Sequence, residues 1–432
     1  MERIYIGDLR EHIGESVLIK GWISVRRDQG KLVFFDVRDR SGSVQAVVLS
    51  KSNALAAAKE IRPEWVVSIK GIVNKRPEKN INPNMQNGDI ELEIGEIETL
   101  SKARELPFEL GVETNLDTYF DYMPYTLRSE KVKQIFKVQE TIIRSFREAL
   151  KREEFTEFQA PVLVGADAEG GAAAFPVEYY YDQKAYLATS PQLYKQIMVG
   201  VYERVFATPK VFRAEKHSTS RHLPEYTSLD FEMGFIDDHK DVMQMLEGTI
   251  RHIVNSVVEM HDIAQPLIPG KIPILKLREA QKILNVPEEP DLDPEHERQI
   301  CEWAKEKHAS EFIFITHYPV SKRPFYTYED ENDPGFTKSF DLLFRGLEIT
   351  TGGQRIHDHD LLIERIQSRG LDPKRFSFYL QTFKYGMPPH GGSATGLERI
   401  TARLLNLVNV KEATLFPRDL NRIDNLLSTD EA

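Results

Sequence analysis

The most densely charged stretch of the sequence, Val211 to Phe235, contains side chains suited to binding phosphate. Its cationic, acidic and histidine side chains crowd into ten positions: Arg213, Glu215, Lys216, His217, Arg221 and His222. Arg213 follows two apolar residues of a predicted strand, so its guanidinium should project from a rigid element, and such groups grip phosphate with paired hydrogen bonds. Taken alone, the stretch is equally compatible with a solvated, salt-bridged hairpin.

The end of the same stretch predicts a strand with two acidic side chains on one face. Leu229, Phe231 and Met233 alternate with Asp230 and Glu232, and residues two apart on a strand point to the same side. Two carboxylates on one strand face could hold an ammonium group or a metal ion.

Residues 186–198 predict a strand that ends at Ser190-Pro191 and a helix that begins at Gln192. Gln192 and Lys195 would then lie near the helix N-terminus, where polar groups can face a small ligand. The alternative is a solvated lysine on a surface helix.

A second acidic pair, Asp341 and Glu348, lies in a stretch that predicts one strand over residues 340–350. Their spacing of seven places them on opposite faces of a regular strand, unless a bulge or bend near Gly346 brings them together. Carboxylates of this kind hold Mg²⁺ when substrate phosphates complete its ligands. Gly352-Gly353 would let backbone approach a ligand, and Arg355 follows.

Glycines 391, 392 and 396 precede a helix predicted to begin near Leu397, with Arg399 in its first turn. A glycine-rich strand beside a helix start suits a nucleotide, although the spacing is neither the phosphate-binding P-loop nor the dinucleotide fingerprint. A packing cluster of glycines is the alternative.

The elements that would position these residues follow from periodicity. Five short strands with one helical stretch after the third, Asn53 to Ile61, suggest a five-stranded OB-type barrel or a small sandwich. The strands are predicted at 16–24, 31–38, 43–50, 65–75 and 90–97. Beyond an irregular stretch, a helix is predicted from Val132, then a strand over 155–164 that carries Pro161, and a second long helix over 240–260.

These patterns predict an α+β protein of two domains. We expect an N-terminal barrel over residues 1–104, a hinge over 105–130, and a second domain over 131–432 with an antiparallel sheet flanked by helices and a helical insertion at about 262–310.

Composition narrows the class of protein. The net charge is −11, which argues against indiscriminate nucleic-acid binding, but residues 1–104 hold 17 Lys+Arg against 15 Asp+Glu, or +2. A polyanion would therefore find least repulsion at the N-terminal segment. The single cysteine, Cys301, excludes an intramolecular disulfide framework. With no apolar run of membrane-spanning length and no signal-peptide pattern, a cytoplasmic protein is expected.

Several motifs resemble those of class II aminoacyl-tRNA synthetases. FRAE (212–215), the helix and strand that end near Pro161, and GLERI (396–400) are similar to motifs 2, 1 and 3 of that class. The barrel resembles that of the aspartate–asparagine–lysine subgroup. TSPQLYKQ, ITTGGQRIH and GMPPHGG resemble aspartyl-tRNA synthetases of the archaeal type.

The resemblance implies a set of residues for ATP and Mg²⁺. Arg213 would hold the α-phosphate and Glu215 the adenine amino group, while Arg221, His222 and Arg399 would approach the outer phosphates. Asp341, Glu348 and Thr351 match positions around Mg²⁺.

The resemblance also implies an aspartate site. Lys195 and Arg355 would pair with the side-chain carboxylate of the substrate, and they would disfavour neutral asparagine because unpaired buried cations are costly. The α-ammonium group would be surrounded by Glu169, Ser190, Gln192 and Asp230. Glu169 lies in residues 165–175, which resemble a loop that closes over the amino acid.

For tRNA, the resemblance implies that Phe34 stacks on the central anticodon base, that Gln45 hydrogen-bonds it, and that Arg26 and Arg27 meet anticodon phosphates. The partners expected are tRNA-Asp and a second copy of the chain, through the motif 1 helix. Ser24 and Asn80 stand where relatives restricted to tRNA-Asp often carry an aromatic residue and a lysine, which leaves tRNA-Asn open as a further substrate.

Two other departures from the family pattern concern the catalytic domain. The closing loop reads AEGGAAAF (168–175), where relatives often have Thr and Glu, and Ala394 stands where a glycine is usual. We expect the first to affect loop closure or aspartate affinity, and the second to leave the nucleotide site intact.

Overall fold

The chain folds into two compact units, Met1–Val112 and Glu113–Ala432. The computed structural model describes residues 1–83, 85–165, 174–216 and 219–423. The boundary lies inside the stretch predicted as a hinge, and the later part of that stretch forms two short helices of the second unit, α2 (Leu116–Asp121) and α3 (Met123–Thr126).

The first unit is a closed five-stranded barrel, which confirms the OB-type barrel and excludes the sandwich. Its strands are ordered β1-β2-β3-β5-β4, and a helix follows the third. The bounds are β1 (Ser16–Asp28), β2 (Val33–Arg38), β3 (Ser43–Val48), α1 (Leu55–Glu60), β4 (Val66–Lys75) and β5 (Ile90–Ser101). Alternation of buried and partly exposed positions along β2 places Val33, Phe35 and Val37 in the core and turns Phe34 and Asp36 outward.

The second unit is built on a sheet that is flanked by helices. Its remaining elements are α4 (Glu130–Arg152), β6 (Thr156–Glu157), β7 (Leu163–Val164), β8 (Pro176–Glu178), β9 (Lys184–Leu187), α5 (Gln192–Tyr202), β10 (Arg204–Ala207), β11 (Lys210–Phe212), β12 (Glu225–Gly234), α6 (His239–Met260), β13 (Ile274–Lys276), α7 (Leu277–Leu284), α8 (Pro294–His308), β14 (Phe312–Thr316), β15 (Ser339–Phe344), β16 (Leu347–Arg355), α9 (His359–Ser368), α10 (Ser377–Lys384), β17 (His390–Gly396) and α11 (Leu397–Leu404).

The sheet is antiparallel at its centre and parallel at both edges. Among the described residues its order is β13-β14-β15-β16-β17-β12-β10-β6, and β11 pairs with β12. β13 runs parallel to β14, and β6 runs parallel to β10. The stretch predicted as a helical insertion therefore also supplies an edge strand of this sheet.

Two sequence predictions of single strands were wrong. The stretch 155–164 is not one strand but β6 and β7, which belong to different sheets, and Pro161 lies between them. Proline has no backbone N–H to donate to a strand ladder, so the chain leaves the sheet there.

The stretch 340–350 is a hairpin of β15 and β16 rather than one strand, and the chain bends near Gly346, which was one of the two predicted irregularities. Its turn is Arg345-Gly346, where φ is 47° and 75°. Positive φ at both central residues is the geometry that matches the twist of a two-residue hairpin. The strand register does shift between Leu342 and Leu343, so the predicted irregularity exists beside the turn.

Helices α4 and α6 pack together on one face of the sheet and bury its main core. On α4 the helical spacing of Val138, Ile142, Phe146 and Leu150 produces this apolar face. No helix in the described part of the chain combines the length and the apolar character that a membrane crossing requires.

Candidate functional site

Three neighbouring strands, β12, β17 and β16, bring the predicted site residues together. The register aligns Asp230 with Ala394 and Thr351, and aligns Gly234 with His390 and Arg355. Because side chains two apart share a face, one surface of the sheet carries Ser228, Asp230 and Glu232 from β12 beside Thr351 and Arg355 from β16.

A cavity of about 210 Å³ opens at one end of this surface. The sequence predictions for ATP all lie on its wall: Arg213, Glu215, Arg221, His222, Glu348 and Arg399. Thr351, predicted near Mg²⁺, lines it too. The guanidinium of Arg213 stands 5.7 Å from the centre of the Tyr226 ring. A cavity with several cations on its wall suits a polyphosphate.

Arg399 joins this cavity to β16. Its Nη1 donates to the carbonyl oxygen of Glu348 at 2.9 Å and lies 3.5 Å from the Glu348 carboxylate. Arg399 stands in the first turn of α11, which follows β17 directly, as the glycine-rich pattern predicts. His222 Nδ1 is 2.7 Å from the hydroxyl of Thr219, which fixes one side of its ring.

Lys195 and Arg355 meet on the same sheet surface, where both are buried. Lys195 Nζ is 2.9 Å from Asp230 Oδ1 and 3.2 Å from Glu232 Oε2, and it donates to Ser393 O at 3.2 Å. Arg355 Nε donates to Glu232 Oε1 at 2.8 Å.

The aspartate prediction had treated both cations as unpaired. Each of them instead contacts a carboxylate of the protein. In the described part of this cluster two cations face two carboxylates, because a buried cation without a counter-ion is too costly. Burial would raise the pKa of Glu232, but Arg355 and then Lys195 outweigh it and hold that pKa below its ordinary value. An incoming carboxylate would have to share these cations with Asp230 and Glu232.

Gly392 creates the space that Glu232 occupies. A Cβ added at Gly392 would lie 2.1 Å from Glu232 Oε2 and 2.2 Å from the Phe231 carbonyl oxygen. No side chain fits there. Gly392 of β17 therefore makes room for the buried charge cluster, while Gly396 of the same strand lines the cavity.

A chain of buried hydrogen bonds fixes the orientation of Gln192. The ring of His390 donates from Nδ1 to Pro388 O at 2.9 Å, so its Nε2 accepts from Gln196 Nε2 at 2.8 Å. The oxygen of Gln196 then accepts from Gln192 Nε2 at 3.0 Å and from the hydroxyl of Tyr379 at 3.1 Å. The amide nitrogen of Gln192 therefore points towards Gln196, and its amide oxygen points away from Gln196.

The residues predicted to surround Mg²⁺ are held differently from one another. Asp341 Oδ2 accepts from Arg323 Nη2 at 2.7 Å, and Arg323 Nη1 donates to the hydroxyl of Thr351 at 3.1 Å. Glu348 reaches the cavity instead. Burial raises the pKa of Asp341, Glu348 adds to that effect, and Arg323 opposes it.

This donor set fits a magnesium ion that is completed by substrate oxygens. Asp341 Oδ1 is buried without a hydrogen-bond partner, and Glu348 offers a second carboxylate. Within the described residues no group of three His, Cys, Asp or Glu side chains forms a metal cluster. Mg²⁺ normally takes one or two protein carboxylates and relies on phosphates and water for the rest.

On the barrel, three of the four predicted anticodon residues share one outward face. Arg27 is paired across the strands with Phe34, and Gln45 with Asp36. Arg27 also forms a two-pronged ion pair with Asp36, at 2.7 and 2.9 Å. Arg26 lies opposite buried Phe35 and bonds Asp28 and Lys59 O, so it does not join this face.

Ser190 and Glu169 are the remaining residues predicted for the aspartate site. Ser190 lies at the start of α5, where its hydroxyl accepts from Gln192 N at 3.3 Å. Glu169 lies outside the described residues, as does most of the predicted closing loop.

The structure adds residues to the predicted site. Gln196, Arg323 and Glu297 contact predicted site residues, and His390 is the strand partner of Arg355. Glu232, which the sequence marked only as one of two carboxylates on a strand face, contacts both Lys195 and Arg355. Glu297 is separated by 76 positions from the Arg221 that it contacts, and nothing in the local sequence marks such a pair.

Family models match both units. The model described as tRNA synthetases class II (D, K and N) matches residues 115–420, and the OB-fold nucleic acid binding domain matches residues 17–100.

Relatives match over nearly their whole length. The chain is 44% identical to the aspartate–tRNA(Asp/Asn) ligase of Thermus thermophilus over 98% of this chain and 99% of that protein. It is 42% identical to the protein of the same name from Aeropyrum pernix, over 95% and 96%. Identity to the aspartate–tRNA(Asp) ligase of Pyrococcus abyssi is 36%, over 97% and 98%.

Among solved structures, the asparaginyl-tRNA synthetase of Pyrococcus horikoshii with asparaginyl-adenylate matches with a TM-score of 0.89 at 32% identity. The match covers 98% of this chain and 99% of that one.

Proposed function

The chain belongs to the class II tRNA synthetases of the aspartate, lysine and asparagine group, and we propose that it activates L-aspartate with ATP and attaches it to tRNA-Asp. One observation supports this proposal. The cation-lined cavity and the two buried cations, Lys195 and Arg355, lie on the same surface of the sheet. The names of the full-length relatives support aspartate as the amino acid.

In the activation step, an oxygen of the substrate α-carboxylate attacks the α-phosphorus of ATP, and the bond to the outer two phosphates breaks. Pyrophosphate leaves and aspartyl-adenylate remains. The carboxylate is already ionised, so no general base is needed. The protein must position the reactants and neutralise the charge that develops on the phosphate oxygens.

We assign this work to the cations on the cavity wall. Arg213 would hold the α-phosphate, with Arg221, His222 and Arg399 towards the outer phosphates, and Glu215 would meet the adenine amino group. Glu348, Asp341 and Thr351 would hold Mg²⁺, which neutralises phosphate charge when bound. A ribose hydroxyl of the tRNA then attacks the activated carboxyl carbon and releases AMP.

For the amino acid, we assign the side-chain carboxylate to Lys195 and Arg355 and the α-ammonium to Asp230, Gln192 and Ser190, with Glu169 from the loop. Because the amide nitrogen of Gln192 donates to Gln196, its amide oxygen can accept a hydrogen bond from the ammonium group. The buried carboxylates Asp230 and Glu232 keep both cations in place before aspartate arrives.

The barrel would read the anticodon. Phe34 lies opposite Arg27 and shares the outward face of the barrel with Gln45, whose amide oxygen accepts from Arg76 at 3.2 Å. An aromatic ring beside basic side chains is the usual OB-fold surface for unpaired bases.

We further propose that the enzyme also places aspartate on tRNA-Asn. Ser24 is small, and its hydroxyl accepts from Arg38 Nη1 at 3.0 Å, so it presents no aromatic wall to the third anticodon base. Two relatives above 40% identity carry names that include both tRNAs.

The test of tRNA choice charges purified tRNA-Asp and tRNA-Asn transcripts in parallel. Aspartate should appear on both, and Ser24→Trp should reduce charging of tRNA-Asn while sparing tRNA-Asp. Absence of aspartate on tRNA-Asn would refute dual specificity and leave aspartate activation intact.

We propose that the enzyme is a homodimer assembled through the outer face of α4. A shallow, mainly apolar depression there is lined by Phe136, Ile143 and Leu415. Light scattering at micromolar concentration should give the mass of two chains, and the mass of one chain would refute this assembly.

An asparagine-specific enzyme is the second candidate, favoured by the match to an asparaginyl-tRNA synthetase structure. ATP–pyrophosphate exchange with aspartate and asparagine in parallel separates the two. We expect exchange with aspartate alone. Asparagine-dependent exchange that is insensitive to aspartate would overturn the proposal.

A further inference from the structure

Glu297, on helix α8, contacts two residues that line the cation-lined cavity. Its carboxylate is paired with Nη2 of Arg221, and it also accepts from the backbone N–H of Glu348 at 3.2 Å. Glu297 does not itself line the cavity, whereas Arg221 and Glu348 do. One carboxylate thus joins two walls of the cavity that come from distant parts of the chain.

Helix α8 holds this carboxylate at a fixed place. Its N-terminus is capped by Asp293, which accepts from His296 N at 2.8 Å. Ile300, Cys301 and Ala304 lie one to two turns after Glu297, and they are buried against the strands of the main sheet. Because the cap and the buried face hold the helix in place, Glu297 in its first turn is a fixed counter-ion.

The pair is enclosed enough for each member to depend on the other. The exposed fraction of the side chain is 17% for Arg221 and 13% for Glu297. Because little water reaches the pair, neither charge is well solvated without the other.

The contact also reaches the other cation of the cavity. Glu348, whose N–H donates to Glu297, accepts through its carbonyl oxygen from Arg399 Nη1 at 2.9 Å. Glu297 is consequently two hydrogen-bonding steps from Arg399 and in direct contact with Arg221.

We infer that Glu297 is a positioning residue for ATP: it holds Arg221 against the cavity wall, ready for the outer phosphates, and makes helix α8 part of the nucleotide site. This inference rests on the proposed function. A guanidinium has five N–H donors in a fixed fork, so one pair can bond Glu297 while the others face a phosphate. Pre-orienting a flexible arginine lowers the entropy lost on binding.

The test combines Glu297→Gln, Arg221→Ala and the double variant in aspartate-dependent ATP–pyrophosphate exchange. Glu297→Gln keeps the size and can still accept from Glu348 N, but it removes the charge that orients Arg221. We expect the KM for ATP to rise about tenfold with kcat within about twofold, as for loss of one charge-assisted contact. In the Arg221→Ala background, Glu297→Gln should cause no further rise.

Two controls separate positioning from folding. Glu302→Gln changes an exposed residue of the same helix and should leave the KM for ATP unchanged. Equilibrium dialysis with ATP alone should show the same loss of affinity in Glu297→Gln without the need for amino acid or turnover.

An unchanged ATP affinity in Glu297→Gln, or an equal loss in the Arg221→Ala background, would overturn the inference. These results differ from failure of the proposed function, in which the unaltered protein itself shows no aspartate-dependent exchange. The dialysis measurement decides the role of Glu297 even in that case.

Discussion

At the scale of single residues, the buried charge cluster depends on Glu232, one of the two carboxylates that the strand alternation places on a shared face. Glu232 is shared by Lys195 and Arg355, at 3.2 and 2.8 Å. Its neighbour Asp230 contacts Lys195 alone among these two cations. Glu232 is therefore the group that holds the two cations together, and the predicted aspartate pocket depends on it.

Replacing Glu232 by Gln should destabilise the protein and weaken aspartate binding together. Breaking a buried ion pair by removing one partner leaves an uncompensated charge and costs roughly 3–5 kcal/mol. We expect urea denaturation followed by circular dichroism to show a loss of this size, and exchange kinetics to show a higher KM for aspartate.

Glu96 provides the matched control. It pairs with Lys70 across β5 and β4 on the barrel surface, where the two side chains are 72% and 49% exposed. Glu96→Gln should leave the free energy of unfolding nearly unchanged. Equal stability of the Glu232→Gln and Glu96→Gln variants would contradict the importance of the shared carboxylate.

The buried histidine His390 predicts a loss of stability in mild acid. Burial lowers its pKa to about 4, below the ordinary value of 6.5. Between these values the unfolded chain binds a proton that the folded chain does not, so the free energy of unfolding should fall as the pH is lowered from 6.5 towards 4.

Denaturation curves measured across this pH range check the prediction. His390→Gln should make the fall shallower, and burial also lowers the pKa of His239 to about 4, so His239 accounts for part of the remaining slope. His308→Gln, a change at an exposed position, should keep the full slope. An identical slope in the His390→Gln variant would refute this role.

At the scale of elements, the β15–β16 hairpin determines where both acidic side chains of the predicted metal site lie. Because the chain reverses at Arg345-Gly346, Asp341 faces Thr351 across the strands and Glu348 faces Leu343. Helix α8 packs beside this turn, and its Arg298 is the nearest contact of Gly346. The turn therefore positions the predicted metal site and the helix that carries Glu297.

Gly346→Ala should destabilise the hairpin more than Gly335→Ala does. Both glycines have positive φ, 75° and 88°, which costs an alanine roughly 1–2 kcal/mol. A Cβ at Gly346 would also lie 2.7 Å from Arg298 Cγ, whereas Gly335 has no atom within 4 Å.

Urea denaturation of the two variants isolates the steric contribution, because the conformational strain is common to both. A Gly346→Ala variant no less stable than Gly335→Ala would show that Arg298 moves aside freely.

At the scale of the whole molecule, each unit has a core of its own. The barrel core is made entirely of residues between Ile4 and Ile97, and the main core of the second unit lies between Val138 and Leu405. The cavity and the Lys195–Arg355 cluster belong entirely to the second unit.

A fragment of residues 113–432 should therefore retain aspartate-dependent pyrophosphate exchange and lose efficient tRNA charging. Stacking of a base on an aromatic residue contributes about 1–3 kcal/mol, so losing the Phe34 face alone should lower charging by about 5- to 150-fold. The full chain with Phe34→Ala is the matched comparison. Unimpaired charging by the fragment would exclude anticodon reading by the barrel.

Local pattern was enough to predict most of the elements. The barrel strands, helices α4 and α6, and the placement of Gln192 and Arg399 at helix starts follow from periodicity and from proline and glycine positions, because short-range geometry determines such features. The six residues assigned to ATP were implied by the resemblance to class II synthetases rather than by spacing, and all six lie on the wall of one cavity.

Tertiary structure decided the pairing of charges. The sequence shows Lys195, Arg221, Arg323 and Arg355 as cations, but it does not show their partners. Lys195 pairs with Asp230 and Glu232, and Arg355 also pairs with Glu232. Arg221 pairs with Glu297, and Arg323 pairs with Asp341. Likewise, the turn at Gly346 decides whether residues 340–350 form one strand or two. A buried charge must find a counter-ion among whatever the fold brings near it, and that neighbour is set by long-range packing rather than by spacing along the chain.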